Sequence, residues 1–362
     1  MPRRIALPPD PHLRPILSAF PTLRELGERE FIRSIIEVEA SGAALSPDVL
    51  VGIGDDATVV QSDPASPALV VTVDAMVEDT HFRRAMPGKD VGYRLAVANL
   101  SDLAAMGAHP WMGVLAFGAP ADLPVEWAKG FFRGLAEAGH QYGSMLLGGD
   151  TVRSPQIVAS LTLIGRLGAG VTPPQRSHAR PGDRLFVTGN PGESGAGLRL
   201  ELEPALKDRL DPAMALHLRA RHFRPTPRLR EGHALVRSLP RLALIDVSDG
   251  VFNETGLLAQ ASGPGVGAVI RWDRLPQSMA LQHAAPLVGL APQHLTLFGG
   301  EDFELLFACD ATLGEVQAIF RAEGSEAPVS EIGMMTAEPG VRVVDALGAT
   351  IELDPETYAH FG

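Results

Sequence analysis

The fold is decided by the stretch ALVVTVDAMVEDTHFRRAMPGKDVGYRLAVANLSDLAAMGAHPWMGVLAFG, residues 68–118. An apolar run at its start and another at its end, GVLAFG, each have the length and composition of a β-strand. Between them, residues 91–106 have the apolar spacing of a helix. A strand, a helix and a strand in so short a space indicate a domain in which helices cover a sheet.

The same alternation continues on both sides of this stretch. Upstream, residues 23–39 predict a helix and VLVGIG a strand; downstream come a helix at 125–141 and the strands MLLGGD and IVASLTLIG. The Gly- and Pro-rich segment GRLGAGVTPPQRSHARPGD predicts a domain boundary. Beyond it we expect the strands DRLFVTG, LALIDVSDG and FELLFAC, with helices at 196–218 and 253–261. The predicted class is α+β or α/β, with a proline-rich extension (1–25), an N-terminal domain (26–166) and a C-terminal α+β domain (175–362).

Composition narrows the possible functions. Of 362 residues 45% are hydrophobic and 20% charged, which is ordinary for a globular protein, and the net charge of −12 argues against nucleic acid or an anionic membrane as a partner. The one cysteine, Cys309, excludes an intrachain disulfide and is expected to fill space in a core. No apolar run has the length of a signal peptide or of a membrane span of about 18 residues. We therefore expect a soluble cytoplasmic protein.

Aspartates recur at or just after the ends of the apolar runs, several of them beside glycine or serine. They are Asp55, Asp56, Asp74, Asp150, Asp246 and Asp249, and Asp102 lies in the first predicted helix with Asn99 on its face. Taken singly, each is explained as a turn former. If they converge, their repulsion requires raised pKa values or hard cations. An all-oxygen ligand set favours Mg²⁺ over zinc, and several Mg²⁺ ions beside carboxylates are typical of a nucleoside triphosphate site.

Common catalytic motifs give no alternative. GIGDDA formally fits a dinucleotide fingerprint, but its aspartates occupy the place where the pyrophosphate needs a helix N-terminus, and TVVQSD after it is not helical. The sequence has no Walker A motif, no protein-kinase catalytic loop, no G-x-S-x-G elbow and no H-E-x-x-H. Among the histidines, only His81 lies beside a candidate site.

Several blocks together resemble one family. GIGDDATVV, VTVDAMVEDTHF, NLSDLAAMGAHP, LLGGDTVRS, HARPGDRLFVTG, IDVSDGV and GGEDFELLF occur in the order found in thiamine-monophosphate kinases, which are similar to aminoimidazole ribonucleotide synthetase. The resemblance runs from about residue 25 to the C-terminus. It implies paired α/β domains, a homodimer built through the N-terminal sheets, and conversion of ATP and thiamine monophosphate to ADP and thiamine diphosphate.

The resemblance also implies roles for individual residues. Those implied to hold Mg²⁺ are Asp56, Thr72, the backbone of Val73, Asp74, Asp102, Asp150, Asp246 and Asp249; those around ATP are Gly149, Asp150, Arg176 and Ser248; those around the thiamine phosphate are His81, Glu301 and Tyr358. Arg176 can fork onto phosphate oxygens, Glu301 can pair with a cationic ring and Tyr358 can stack on it. Alternatively, Glu301 is a charge at a helix N-terminus and Tyr358 a packed C-terminal anchor.

Two departures from the family pattern, Arg94 in place of a frequent lysine and Phe303 in place of a tyrosine, remove no proposed metal ligand. Phosphoryl transfer is expected to be direct and in line, since no activated nucleophile is evident; an aspartyl-phosphate on Asp246 or Asp249 is the alternative route.

Two other functions remain open. The first is a different ATP-dependent enzyme of the same superfamily, such as selenophosphate synthetase. That enzyme normally has a cysteine or selenocysteine near its N-terminus, whereas Cys309 lies in the C-terminal domain. The second is a non-catalytic, metal-binding dimeric scaffold.

Overall fold

The computed structural model of the chain describes residues 30, 48–52, 55–61, 63 and 66–353. Three predicted features lie outside these ranges: the proline-rich extension, the helix at 23–39 except for helical Glu30, and Tyr358. Residues 47–355 form one compact unit, so the two halves of this unit can be described together.

A six-stranded sheet forms the first half. Its strands are β1 (Val49–Val51), β2 (Thr58–Val60), β3 (Leu69–Val77), β4 (His109–Ala119), β5 (Met145–Arg153) and β6 (Val158–Arg166), in the order β1-β2-β3-β6-β4-β5. Every pairing is antiparallel except that of β4 with β5. The helices α1 (Gly88–Ala105) and α2 (Val125–Tyr142) begin and end within three residues of their predicted bounds. β5 therefore forms one edge of the sheet and pairs in parallel with β4.

Helix α1 is the element that the site depends on. It packs against β3, β6 and α2, and also against β8 (Ala243–Val247) of the second half. Almost all of its residues are buried, as expected of a helix enclosed on every side. At Gly92 an added Cβ would lie 2.0 Å from the Phe131 carbonyl oxygen of α2, so only glycine allows the two backbones to approach this closely.

A second six-stranded sheet forms the other half. Its further strands are β7 (Arg184–Thr188), β9 (Gly267–Arg271), β10 (Glu304–Cys309), β11 (Val329–Thr336) and β12 (Gly340–Val344), in the order β12-β9-β11-β7-β10-β8. Only β9 and β12 pair in parallel. The helices of this half are α3 (Glu193–Leu202), α4 (Pro212–Phe223), α5 (Leu229–Ser238), α6 (Val251–Ala261), α7 (Met279–Ala284), α8 (Pro292–Phe298) and α9 (Leu313–Ala322). Cys309 is fully buried on β10, as expected of a core residue.

Some local predictions were wrong. The helix predicted at 196–218 is two helices, because Pro204 and Pro212 interrupt it and the Asp211 side chain caps α4 by accepting from the backbone N–H groups of Ala213 and Met214. Asp74 and Asp150 do not end their strands, since β3 continues to Val77 and β5 to Arg153. The short strand β2 was not predicted.

The predicted domain boundaries stay a prediction, although β6 ends at Arg166 and β7 begins at Arg184. Within the described ranges, no helix combines the length and the apolarity needed to cross a membrane.

Candidate functional site

Three aspartates from distant parts of the sequence meet at one point. Asp56 lies between β1 and β2, Asp102 in the last turn of α1, and Asp246 on β8 of the second sheet. One carboxylate oxygen from each lies within 4.8 Å of the others. The three elements belong to both halves of the chain, so the site is assembled only when the two sheets pack around α1.

Strand β3 adds two polar side chains to this cluster. Thr72 and Asp74 lie on the same face of the strand, and the Thr72 hydroxyl donates a hydrogen bond to Oδ2 of Asp102. The backbone N–H of Asp74 donates to Oδ1 of Asn99 at 3.2 Å, and the Asn99 amide donates to the Leu95 carbonyl at 2.9 Å. The intervening Val73 projects from the other face, where its side chain is 60% exposed. β3 is therefore fixed in register against α1 by side chains of the helix.

Two further residues hold the cluster from opposite sides. The hydroxyl of Ser101 on α1 donates to Oδ2 of Asp246 at 2.7 Å. On the other side, Nη2 of Arg176 donates to Oδ1 of Asp56 at 2.8 Å, and the Arg176 backbone N–H donates to Oδ1 of Asp55 at 2.6 Å. Arg176 comes from the segment between the two sheets and places a cation on the rim of the cluster.

The carboxylates perturb one another. Burial raises the pKa of Asp74 to about 6. Burial also raises the pKa of Asp102 well above its usual range, and the charges of Asp74, Asp246 and Asp56 raise it further. The pKa of Asp246 is raised in the same way, first by burial and then by the charge of Asp56. At a separation of 4.8 Å, two such charges repel by roughly 3 to 4 kcal/mol at an effective dielectric constant of about 20.

Such a cluster is suited to bind a hard cation. Every donor is an oxygen, from four carboxylates and a hydroxyl, and oxygen-only sets favour Mg²⁺ among the common divalent ions. Arg176 neutralises only part of the negative charge, because one guanidinium group carries a single positive charge and the cluster has several carboxylates. The repulsion between the remaining carboxylates is the physical reason why the site fits a divalent ion.

Ser248 and Asp249 follow β8 in a turn that leads into α6. Glu254, which is 1% exposed, accepts a hydrogen bond from the Asp249 backbone N–H at 2.7 Å and one from the Ser248 hydroxyl at 3.4 Å. Burial, and secondly the charge of Asp249, raise the pKa of Glu254 well above its usual range. The turn is thus held from beneath, with Asp249 exposed at its tip.

Gly149 and Asp150 are not brought into this cluster. Asp74 is paired in register with Leu161, Leu161 with Leu115 and Leu115 with Gly149, so Gly149 lies three strand spacings from Asp74, about 14 Å. Asp150 belongs to the neighbouring row, which runs through Ala75. Because side chains alternate along a strand, Asp150 points to the sheet face opposite to Asp74. Gly149 has a packing explanation, since an added Cβ would lie 1.9 Å from the Leu115 carbonyl oxygen.

His81 and Glu301, the predicted acceptor-binding residues in the described ranges, come from different halves. The Nδ1 atom of His81 accepts from the Val77 backbone N–H at 3.0 Å, which closes the turn after β3. Glu301 precedes β10 with a φ of 53°, a left-handed conformation that is rare for a residue with a Cβ. It is not at a helix N-terminus, so that alternative is wrong. Both residues contact Arg94.

Family models match both halves of the chain. The model described as AIR synthase related protein, N-terminal domain, matches residues 54–167, and the corresponding C-terminal domain model matches residues 180–346. A curated relative from Escherichia coli K12, named thiamine-monophosphate kinase, is 37% identical over 328 residues, covering 87% of this chain and 93% of the relative. The chain belongs to the thiamine-monophosphate kinase family. Relatives of that name from Mycobacterium tuberculosis H37Rv and Bacillus subtilis are 36% and 34% identical, covering 84% and 86% of this chain and 86% and 93% of the relatives.

Solved structures agree with the family. The structure of AaThiL complexed with AMPPCP and TMP superposes with a TM-score of 0.80 at 31% identity, covering 94% of this chain and 99% of that chain. Thiamine monophosphate kinase from Aquifex aeolicus gives a TM-score of 0.75 at 30% identity, covering 92% and 100%. Escherichia coli HypE, at 21% identity and a TM-score of 0.65, shares the fold. The two-domain architecture inferred from the sequence is thus confirmed.

Several residues that shape this thiamine-monophosphate kinase family site were not predicted as part of it. Ser101 directly precedes Asp102 on α1; Asn99 was noted only as sharing a face with Asp102. A signal for both existed, since buried polar side chains of a helix require partners. Arg94 lies on the same helix and was noticed only as a departure from the family pattern. Glu254 gave no signal, because an acidic residue in the first turn of a helix is ordinary.

Proposed function

We propose that this chain transfers the γ-phosphoryl group of ATP to thiamine monophosphate, giving ADP and thiamine diphosphate. The observation that carries the proposal is the convergence of Asp56, Asp102 and Asp246 from both halves of a chain whose relatives are thiamine-monophosphate kinases. Such a carboxylate cluster suits a reaction between two phosphate groups, since both substrates are anions that require cations between them.

The cluster residues hold Mg²⁺ in this proposal. Asp56, Asp74, Asp102 and Asp246 with the Thr72 hydroxyl form the core of the site, and Asp249 lies exposed on the turn after β8. Bound Mg²⁺ supplies the positive charge that neutralises phosphate oxygens as the phosphoryl group moves. The backbone carbonyl of Val73 remains a proposed ligand. The exposure of the Val73 side chain does not affect this role, because the ligand is a main-chain atom.

The remaining residues bind and orient the substrates. Arg176 lies on the rim, where its guanidinium can turn from Asp56 to phosphate oxygens of ATP, and Ser248 lies on the turn after β8 that Glu254 holds. Glu301 offers a carboxylate to the cationic ring of the acceptor or to its amino group, and His81 offers an imidazole to its phosphate. Tyr358 is the third proposed acceptor residue and lies outside the described residues. Alignment of donor and acceptor then accounts for much of the rate.

The test of the function is a panel of acceptors. The purified chain with ATP and Mg²⁺ is expected to release ADP with thiamine monophosphate, and to remain near background with thiamine, selenide and no acceptor. Addition of a chelator in excess of Mg²⁺ is expected to abolish turnover. Consumption of ATP with selenide would favour the selenophosphate synthetase alternative, and ATP binding without turnover on any acceptor would favour a scaffold. Burial of Cys309 on β10 already argues against a role for it in selenium chemistry.

Direct transfer predicts that no phosphorylated enzyme accumulates. The aspartates of the cluster are oriented by hydrogen bonds from Thr72, Ser101 and Arg176, and a carboxylate that binds a cation is a poor nucleophile. After incubation with γ-labelled ATP in the absence of acceptor and an acid quench, the protein is expected to carry no label. Stoichiometric label that moves into product when thiamine monophosphate is added would establish an aspartyl-phosphate instead.

We infer that the functional unit is a homodimer formed through the first sheet. The sheet face opposite to α1 exposes apolar side chains, and so does edge strand β5: Val73, Val114, Met145, Leu146, Leu147 and Val152 are each 41–61% exposed. Large contiguous apolar surfaces of this kind mark protein interfaces. An uncovered edge strand is also a template for pairing with another chain. A second copy of the same surface would cover both features.

In such a dimer, Asp150 can contribute to the active site of the other subunit. Within its own chain Asp150 lies on the opposite sheet face from Asp74 and three strands away, so it cannot join the cluster that it was predicted to complete. It does lie on the surface through which we propose that the dimer forms. We therefore propose that Asp150 serves the active site of the partner subunit.

A further inference from the structure

One buried arginine contacts both described acceptor-binding candidates. Arg94, in the middle of α1, has a fully buried side chain. Its Nη2 atom donates to Oε2 of Glu301 at 2.5 Å, and its Nη1 atom donates to the backbone carbonyl of His81 at 3.4 Å. Glu301 belongs to the second half of the chain and His81 to the first. Arg94 is therefore the point at which the two halves are joined beside the acceptor.

Glu301 has few other means of being fixed. Its side chain is 32% exposed, and its backbone has a positive φ of 53°. Its backbone N–H donates to the Ser248 carbonyl at 2.5 Å, which ties it to the turn at the ATP side. His222 lies 3.9 Å from Oε2 of Glu301, but burial and the charge of Arg94 hold the pKa of this imidazole well below its usual range. The cation that orients the Glu301 carboxylate is therefore Arg94.

We propose that Arg94 is a positioning residue for the acceptor: it sets the distance and orientation between the Glu301 carboxylate and the His81 turn. This inference rests on the proposed function, in which these two residues bind thiamine monophosphate. Arg94 itself is fully buried and acts through them. Because it is anchored in α1, five residues before Asn99 and eight before Asp102, the acceptor groups take their position from the same helix as the carboxylate cluster.

In this chain the guanidinium group allows one side chain to contact both partners. Its two terminal nitrogens point in different directions, and each bonds a different half of the chain. A lysine ammonium at this place is a single point charge. It can pair with Glu301, but it lacks the planar fork that lets arginine also hold the His81 carbonyl. Burial also strengthens the pair, because water does not screen it.

The test separates acceptor binding from ATP binding. Arg94→Met, which keeps a side chain of similar length, is expected to raise the KM for thiamine monophosphate by about tenfold or more while the KM for ATP stays within about twofold. Arg94→Lys is expected to fall between this variant and the wild type. The matched control is Arg224→Met, which removes a nearby arginine that pairs with Asp90 and Glu137 and does not contact Glu301 or His81; both KM values should stay unchanged.

A double-mutant cycle with Glu301→Gln tests whether Arg94 acts through Glu301. If it does, the fold increase in the KM for thiamine monophosphate of the double variant Arg94→Met/Glu301→Gln is well below the product of the fold increases of the two single variants. Multiplicative effects, or equal increases in the KM for ATP and for the acceptor, would overturn the inference and leave an ion pair that merely joins the two halves. Should Arg94→Met fail to fold, Arg94→Lys with the same KM comparison decides. If the wild-type chain does not phosphorylate thiamine monophosphate, the proposed function itself is wrong. This result differs from a failure of the Arg94 inference, in which the wild type is active and only the variants depart from the expected KM values.

Discussion

Replacing Asp102 by asparagine is expected to lower kcat at least about 1000-fold, which corresponds to about 4 kcal/mol of transition-state stabilisation. Asp102 is coupled to each of the other cluster residues: it accepts from Thr72, and the charges of Asp74, Asp246 and Asp56 raise its pKa. An asparagine can still accept the Thr72 hydrogen bond but carries no charge for a divalent ion. The measurement is ADP release at saturating ATP, thiamine monophosphate and Mg²⁺.

The same substitution is expected to stabilise the metal-free fold. The pKa of Asp102 is raised in the folded chain, so the folded state binds this proton more tightly than the unfolded state does. Its contribution to stability is therefore greatest at low pH and is lost as the pH rises through the folded-state pKa. Asparagine cannot ionise, so at neutral pH the variant avoids the free-energy cost of a buried, ionised carboxylate at this position. In chelator, the thermal midpoint should be at or above that of the wild type.

The matched control for this prediction is Asp208→Asn, which removes a carboxylate from an exposed position between α3 and α4. It should change neither kcat nor the thermal midpoint. An Asp102→Asn enzyme that keeps activity within about tenfold of wild type, or that loses both activity and a large part of its thermal midpoint, would contradict the role assigned to the cluster. The second result would mean that the carboxylate stabilises the fold.

The pattern of the sequence predicted the elements with long apolar periodicity. α1 and α2 were located within three residues, and most core strands were found, because apolar spacing reflects which side faces a core. β2 was missed because a strand of three residues carries little pattern. The break between α3 and α4 was missed because apolar spacing continues on both sides of it, so Pro204 and Pro212 were the better guide.

The candidate site was predictable in composition but only partly in geometry. Aspartates beside glycine could be named from the sequence, and Asp56, Asp102 and Asp246 do converge. Their convergence depends on the packing of two sheets against α1, which no local pattern encodes. Asp150 shows the limit most clearly, since strand register alone decides which face of the sheet it lies on.

Heterodimers carrying one defect in each subunit are expected to regain activity that neither defective homodimer has. Asp102→Asn and Asp150→Asn should each inactivate the homodimer. In a heterodimer of the two, one site combines the intact cluster of the Asp150→Asn subunit with the intact Asp150 of the Asp102→Asn subunit. If Asp150 acts on the partner's site, this heterodimer should have about half of wild-type activity per dimer, because one of two symmetry-related sites is complete. Co-expression with two affinity tags and sequential purification isolates it for assay.

The reciprocal heterodimer makes the outcome unambiguous. In it, a wild-type subunit is paired with a subunit that carries both Asp102→Asn and Asp150→Asn. The wild-type subunit has an intact cluster, but its partner lacks Asp150. The double-variant subunit has a defective cluster, although its partner supplies Asp150. This heterodimer should be inactive if Asp150 acts across the dimer. If Asp150 instead serves its own chain, the two results exchange: the wild-type pairing keeps about half of the activity and the single-defect pairing has none. An active Asp150→Asn homodimer would remove Asp150 from the site altogether, and its exposure on β5 would then reflect the dimer surface alone.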